Sequence, residues 1–168
     1  NSLLIAAAAN GISAAEKATG VEVVVDLSST GAKAGDKLEI LLDGAVLSPT
    51  ASATLTNADI SSGSVKLTIP VASNLGADGT KVFAARLTDV AGNVGGIGGN
   101  LTVSLDTTAP AAYKNTLIID AAVGGISPTE KAANIIVQAS LAGTSAVAGD
   151  SIELLIDGKP FANSTVHL

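Results

Sequence analysis

Residues 1–54 return, without a gap, as residues 115–168. Asn1-Ser-Leu-Leu-Ile aligns with Asn115-Thr-Leu-Ile-Ile, and Gly11-Ile-Ser-Ala-Ala-Glu-Lys-Ala with Gly125-Ile-Ser-Pro-Thr-Glu-Lys-Ala. Ala34-Gly-Asp-Lys-Leu-Glu-Ile-Leu-Leu-Asp-Gly aligns with Ala148-Gly-Asp-Ser-Ile-Glu-Leu-Leu-Ile-Asp-Gly, again at an offset of 114 residues. That period is too long for a solenoid unit and suits one independently folding domain. The expectation is of beads on a string: a complete domain over 1–106, a linker over 107–114, and the N-terminal half of a second domain of the same type over 115–168.

Composition narrows what such a bead can be. With Cys 0 there is no disulfide, thiolate metal site or thiol redox chemistry. A formal charge of −6 and nine scattered Lys and Arg leave no basic track for phosphates, which excludes a nucleic-acid partner. Aromatics make up 2% and hydrophobic residues 47%, so the core has to be built from Ala, Val, Leu and Ile. No apolar run approaches the roughly 20 residues that span a bilayer, so no membrane insertion is expected of this stretch. Leu3 to Ala9 is also too short, and lacks the basic flank, for a signal peptide.

Period-two alternation dominates the pattern. Val21, Val23 and Val25 face one way with Glu22 and Asp26 opposite, and Leu38, Ile40 and Leu42 oppose Lys37 and Glu39. The same signal recurs at Val65, Leu67 and Ile69, at Phe83, Ala85 and Leu87, and at Leu101, Val103 and Leu105. Turn residues at Gly31 to Asp36, Asp43-Gly44, Asn57 to Gly63, Gly76 to Gly79 and Gly92 to Gly99 separate these runs. Seven strands follow: A at 2–7, B at 20–27, C at 37–42, D at 50–56, E at 64–70, F at 80–88 and G at 100–106. Seven short antiparallel strands in about 100 residues define a β-sandwich. Helix is expected only at Ala14 to Ala18, for one turn at most, where Ser13 and Glu16 form a capping box.

An antiparallel chain alternates between the two ends of its sandwich, which places the loops. Glu16, Asp43, Asp78 and Asp106 gather at the exit pole, and Asp36, Asp59, Asp89 and Asn93 at the entry pole. Beyond Asp106 the connector Thr107-Thr-Ala-Pro-Ala-Ala-Tyr-Lys114 contains Pro110, which makes it stiffer than a Gly/Ser tether.

Asp78-Gly-Thr, Thr88-Asp-Val-Ala-Gly-Asn93 and Asp106-Thr-Thr-Ala-Pro110 occur in that order, preceded by Ile12-Ser-Ala-Ala-Glu16 and Ala34-Gly-Asp36. This series resembles the Ig-like repeats of giant bacterial surface adhesins, the biofilm-associated protein type and the extender regions of RTX adhesins. The resemblance covers the whole first repeat and all of the partial second one. It implies an all-β fold, a seven-stranded antiparallel Ig-like β-sandwich, with neighbouring repeats of the same polypeptide as its partners. It also implies an extracellular place, at the bacterial surface or secreted, and a role in adhesion and biofilm formation. Ca²⁺ at the domain poles is the implied cofactor.

Calcium takes about six to eight oxygen ligands. The candidate ligands are Asp106, Glu16 and Asp78 at the exit pole, Asp89 and Asn93 at the other, and Asp120 and Glu130 in the second repeat. Each has a structural reading beside it: turn aspartates bond their own backbone, Glu16 serves the helix cap, Asp89 and Asn93 shape the F–G turn, and Thr107 and Thr108 cap a strand end. Ala6 stands where the second repeat has Asp120, so a carboxylate-dependent site there could exist in one repeat only. Asp43-Gly44 and Asp157-Gly158 are read as tight turns, and Gly95 to Asn100 as a flexible hairpin, since a calcium roll needs stacked copies.

An enzyme is not expected, because the one histidine is His167 and no nucleophile and base can be assembled. The leading expectation is a structural extender repeat. One alternative is a glycan- or protein-binding Ig-like module, for which Tyr113 and two Phe offer few stacking surfaces. The other is a self-assembling fibre or surface-layer subunit, in which other copies of the chain complete residues 115–168.

Overall fold

The computed structural model describes residues 2–120 and 123–168. By internal contacts the chain divides into two compact units, Asn1–Thr108 and Ala109–Leu168.

Unit 1 is an all-β sandwich. Its strands are β1 (Leu3–Ile5), β2 (Ile12–Ser13), β3 (Val21–Asp26), β4 (Lys37–Leu42), β5 (Ala45–Val46), β6 (Ser52–Thr54), β7 (Ser64–Ile69), β8 (Gly79–Thr88) and β9 (Val94–Asp106). One sheet runs β1-β3-β7 and the other β2-β9-β8-β4-β5, with β6 also paired to β4. Alternation explains the layering: Val21, Val23 and Val25 of β3, and Val65, Leu67 and Ile69 of β7, turn their side chains into the core while Glu22, Lys66 and Thr68 stay outside. From the facing sheet come Leu38, Ile40, Phe83, Val103 and Leu105. Each such aliphatic side chain contributes about 1.5–3 kcal/mol on burial. Phe83 is fully buried and is the largest of them.

The expected strand A is divided between both sheets. After β1 the chain makes a 3-10 turn at Ala6–Ala9, crosses, and enters the second sheet as β2, parallel to β9 with Ile12 opposite Leu105 and Ser13 opposite Asp106. Gly11 permits the crossing: its φ is +90°, and a Cβ there would lie 3.0 Å from the Ser104 carbonyl oxygen. Together with the short β5, this split raises the number of strand segments above seven. Strand D shortens to β6.

Three further expectations are corrected. The stretch from Asn57 to Gly63 is not a plain turn but holds helix α2 (Asn57–Ser62), because Thr56 and Asp59 form a second capping box and Gly63 closes it in the left-handed region at φ +70°. Helix α1 (Ala14–Thr19) forms as its Ser13–Glu16 box requires, and is longer than the single turn expected. Gly95 to Asn100 is not a flexible hairpin but part of β9, paired with β8 through two register shifts. A Cβ on Gly95 would sit 3.2 Å from the Leu87 carbonyl oxygen, so the close ladder suits glycine here.

Unit 2 consists of short pairs. Strand β10 (Leu117–Ile119) pairs β11 (Val137–Ala139), β12 (Ser151–Ile152) pairs β15 (Val166–His167), and β13 (Leu155–Ile156) pairs β14 (Lys159–Pro160). Between β10 and β11 lies α3 (Pro128–Lys131), with a Ser127–Glu130 capping box and proline in its first turn.

Candidate functional site

The outgoing end of unit 1 is where the candidate carboxylates meet. Pairing places Gly79 opposite Leu105 on one side of β9 and Ser13 opposite Asp106 on the other. Asp78, Asp106 and the start of α1 with Glu16 are thereby brought to one pole by the register of three strands. The Thr107 hydroxyl donates to Asp78 Oδ1 at 2.7 Å and the Thr108 hydroxyl to Oδ2 at 2.8 Å. The two hydroxyls, with the Thr107 N–H, hold the Asp78 carboxyl below its ordinary value. Asp106 Oδ1 accepts the Thr108 N–H at 3.0 Å, an Asx turn that folds the departing chain back on the strand end. Glu16 Oε2 accepts from Ser13 N–H and Oγ at 2.9 and 2.8 Å, which spends that oxygen on the helix cap.

The other candidates take up local roles. Asp89 accepts the Asn93 N–H and side-chain amide, both at 2.8 Å, which closes the β8–β9 turn and holds the Asp89 carboxyl low. Glu130 caps α3 through Ser127. Asp120 is exposed at the end of β10. Asp43 stands apart from the exit cluster in chemistry: its N–H donates to the Val82 carbonyl and its Oδ1 accepts the Val82 N–H, so it extends the β4–β8 ladder.

Carboxylate and hydroxyl oxygens at Asp78, Asp106, Thr107 and Thr108 are the hard donors the ion prefers. Among the described residues, however, no three His, Cys, Asp or Glu side chains group closely enough to hold a metal. The exit pole therefore offers oxygens of the kind calcium takes, without a grouped carboxylate set to hold the ion.

Sequence reading passed over a charged cluster in the sheet. Glu39, almost fully buried, takes Lys37 Nζ on Oε1 at 2.6 Å and Arg86 Nη2 on Oε2 at 3.0 Å. The signal was present, since cross-strand neighbours of opposite charge stabilise a pair, but it needs the β4–β8 register to be seen.

Fold and register define the class: an all-β sandwich module whose outgoing strand end carries an oxygen-rich pole. No protein-family model matches the chain. No curated protein matches it either. It is similar in fold to the solved structure of a Ca²⁺-stabilized adhesin that helps an Antarctic bacterium reach out and bind ice, with 22% identity, 99% of this chain and 39% of that chain covered, and a TM-score of 0.47. The chain thus spans about two fifths of the length of that structure. Among the described residues no helix is long and apolar enough to cross a membrane.

Proposed function

We propose that the chain is a non-catalytic extender repeat of a large bacterial surface adhesin, working outside the cell with like repeats joined end to end. The observation that carries this reading is the anchorage of the departing chain: Thr107 and Thr108 both donate to Asp78. A strand end tied down in this way turns a connector into a continuation of the domain. Pro110 then limits bending further along. The repeated sequence and the ordered adhesin-like segments support the same reading. Its mechanism is mechanical: sandwiches in series hold an adhesive part at a distance. Calcium, if it joins Asp78 and Asp106, would stiffen the exit pole by neutralising two carboxylates in one place.

The experiment is a comparison of thermal melts and solution shape with and without millimolar Ca²⁺, Mg²⁺ serving as the control. A higher melting point and a longer, stiffer particle with Ca²⁺ are expected. An unchanged melt would remove calcium from the reading, and a freely bending connector would remove the extender role.

A further inference from the structure

The chain beyond Asp106 is held a second time, at its far end. In unit 2 the ladder between β10 and β11 stops at Leu117 opposite Ala139, which is the register of β1 and β3 moved by 114 residues. Past that point the main-chain carbonyls that follow β11 have no paired strand to meet. Asn115 meets them with its side chain: Nδ2 donates to the Ser140 carbonyl at 2.6 Å and to the Ala142 carbonyl at 2.9 Å, using both of its hydrogens. Earlier in the connector, the Ala111 N–H donates to Ser145 Oγ at 3.3 Å. Pro110 and Tyr113 share with Leu141, Thr144 and Ile152 the lining of a small cavity of about 130 Å³.

The receiving loop is braced by its own bonds. Thr144 Oγ1 donates to the Leu141 carbonyl at 2.7 Å and accepts the Ala146 N–H at 3.3 Å. In unit 1 Thr30 makes the same two bonds, to Leu27 at 2.6 Å and from Ala32 at 3.0 Å. Asp36 and Asp150 likewise accept the N–H groups of Lys33 and Val147. The loop over 140–150 thus has in unit 2 the bonding that it has in a complete sandwich.

We propose that the loop over 140–146 is the receiving site for the connector, that Asn115 is the positioning residue that clamps it there, and that the flexible part of the joint shrinks to Ala109 and Pro110. On the near side Thr107 and Thr108 are held by Asp78; on the far side Ala111 and Asn115 are held by the loop. Pro110 fixes its own φ and keeps Ala109 extended, so little rotation is left between the two grips. The far grip is made of amides, carbonyls and one hydroxyl, none of which titrates near neutral pH or takes an ion to hold it. It works without calcium, whatever an ion adds at the exit pole. The inference deepens the extender reading and rests on it for its purpose, since a spacer fails if its joints fold back.

The test follows hydrogen exchange of single amides in the full chain, in EDTA, against a free peptide of residues 107–116. The Ala111 main-chain amide and the Asn115 side-chain amide should exchange about tenfold or more slower in the chain than in the peptide. Asn115→Asp sets a carboxylate against two carbonyl oxygens and should remove the protection of Ala111, while the amides of β10 and β11 keep theirs. Ser145→Gly places there the residue that the first repeat carries at Gly31. It should free Ala111 and leave the Asn115 side chain protected, which decides the matter if Asn115→Asp disturbs the strand pair. Exchange in the chain as fast as in the peptide overturns the proposal, as does protection of Ala111 that survives both variants. The Thr108 amide, which donates to Asp106, reports the near grip by itself. Slow exchange there beside fast exchange at Ala111 and Asn115 would remove the far grip and leave the extender reading standing.

Discussion

Arg86 Nη2 donates to Glu39 Oε2 at 3.0 Å across the β4–β8 pair, while Lys37 holds the other carboxylate oxygen at 2.6 Å. The Lys37 hydrogen bond first, and the Arg86 one second, lower the Glu39 carboxyl from its ordinary value, against the opposing effect of burial. A carboxyl whose folded-state value lies below its unfolded one stabilises fully above the unfolded value and loses that contribution as pH falls through the folded value. Unit 1 should therefore lose stability below about pH 4.5. Glu39→Gln should cost about 1–3 kcal/mol at pH 7 and flatten this acid limb, as read by urea titrations between neutral and acid pH.

Phe83→Ala should destabilise unit 1 by about 3–5 kcal/mol, since an aromatic ring between two sheets leaves a cavity that β-strands cannot close. Chemical denaturation, followed by far-ultraviolet circular dichroism, measures this directly. A loss below 1 kcal/mol would mean that the two layers are not held apart by that side chain.

Two glycines with positive φ give a matched pair of tests. Gly20, at φ +89°, would place a Cβ 2.8 Å from Thr68 Cγ2 and 3.2 Å from the Ile69 carbonyl oxygen, whereas Gly31, at φ +71°, has open space around it. Both alanine variants suffer backbone strain of about 1 kcal/mol. Gly20→Ala should be worse by at least as much again, because α1 would have to move off β7. Equal melting points for the two variants would show that the contact is relieved without cost.

Asp78→Ala should release Thr107 and Thr108 from the pole. Their amides, and those of the following residues, should exchange faster while β3 and β7 remain protected. If calcium binds at Asp78 and Asp106, the wild-type chain should gain about 4–8 °C in millimolar Ca²⁺, and Asp78→Ala should lose that gain. A calcium response that survives both Asp78→Ala and Asp106→Ala would place the ion elsewhere.

Much of the scaffold was readable because it rests on short-range rules. Alternation located β3, β4, β7 and β8 to within a residue or two, and the Ser13–Glu16 spacing announced α1. Antiparallel connectivity was enough to bring Glu16, Asp78 and Asp106 to one end. What escaped depended on partners distant in sequence. The passage of strand A into the second sheet is set by the β9 edge, and the Gly-rich run became strand because β8 offered a ladder close enough to need glycine at position 95. Helix α2 carries a weaker signal, since its Thr56–Asp59 box uses a shorter acid than the usual glutamate. Among the site residues, the sequence announced the carboxylates and the Ser13–Glu16 cap, but not the bonds that Thr107 and Thr108 make to Asp78, a partner some thirty residues away.

The side-by-side run of β2 and β9 has a mechanical meaning. Because Ile12 and Leu105 travel in the same direction, tension drawn between the front and the rear of unit 1 slides one strand along the other instead of unzipping them. The bonds joining them share the load together, and the place where the chain changes sheets becomes the clasp that has to give before the sandwich can lengthen.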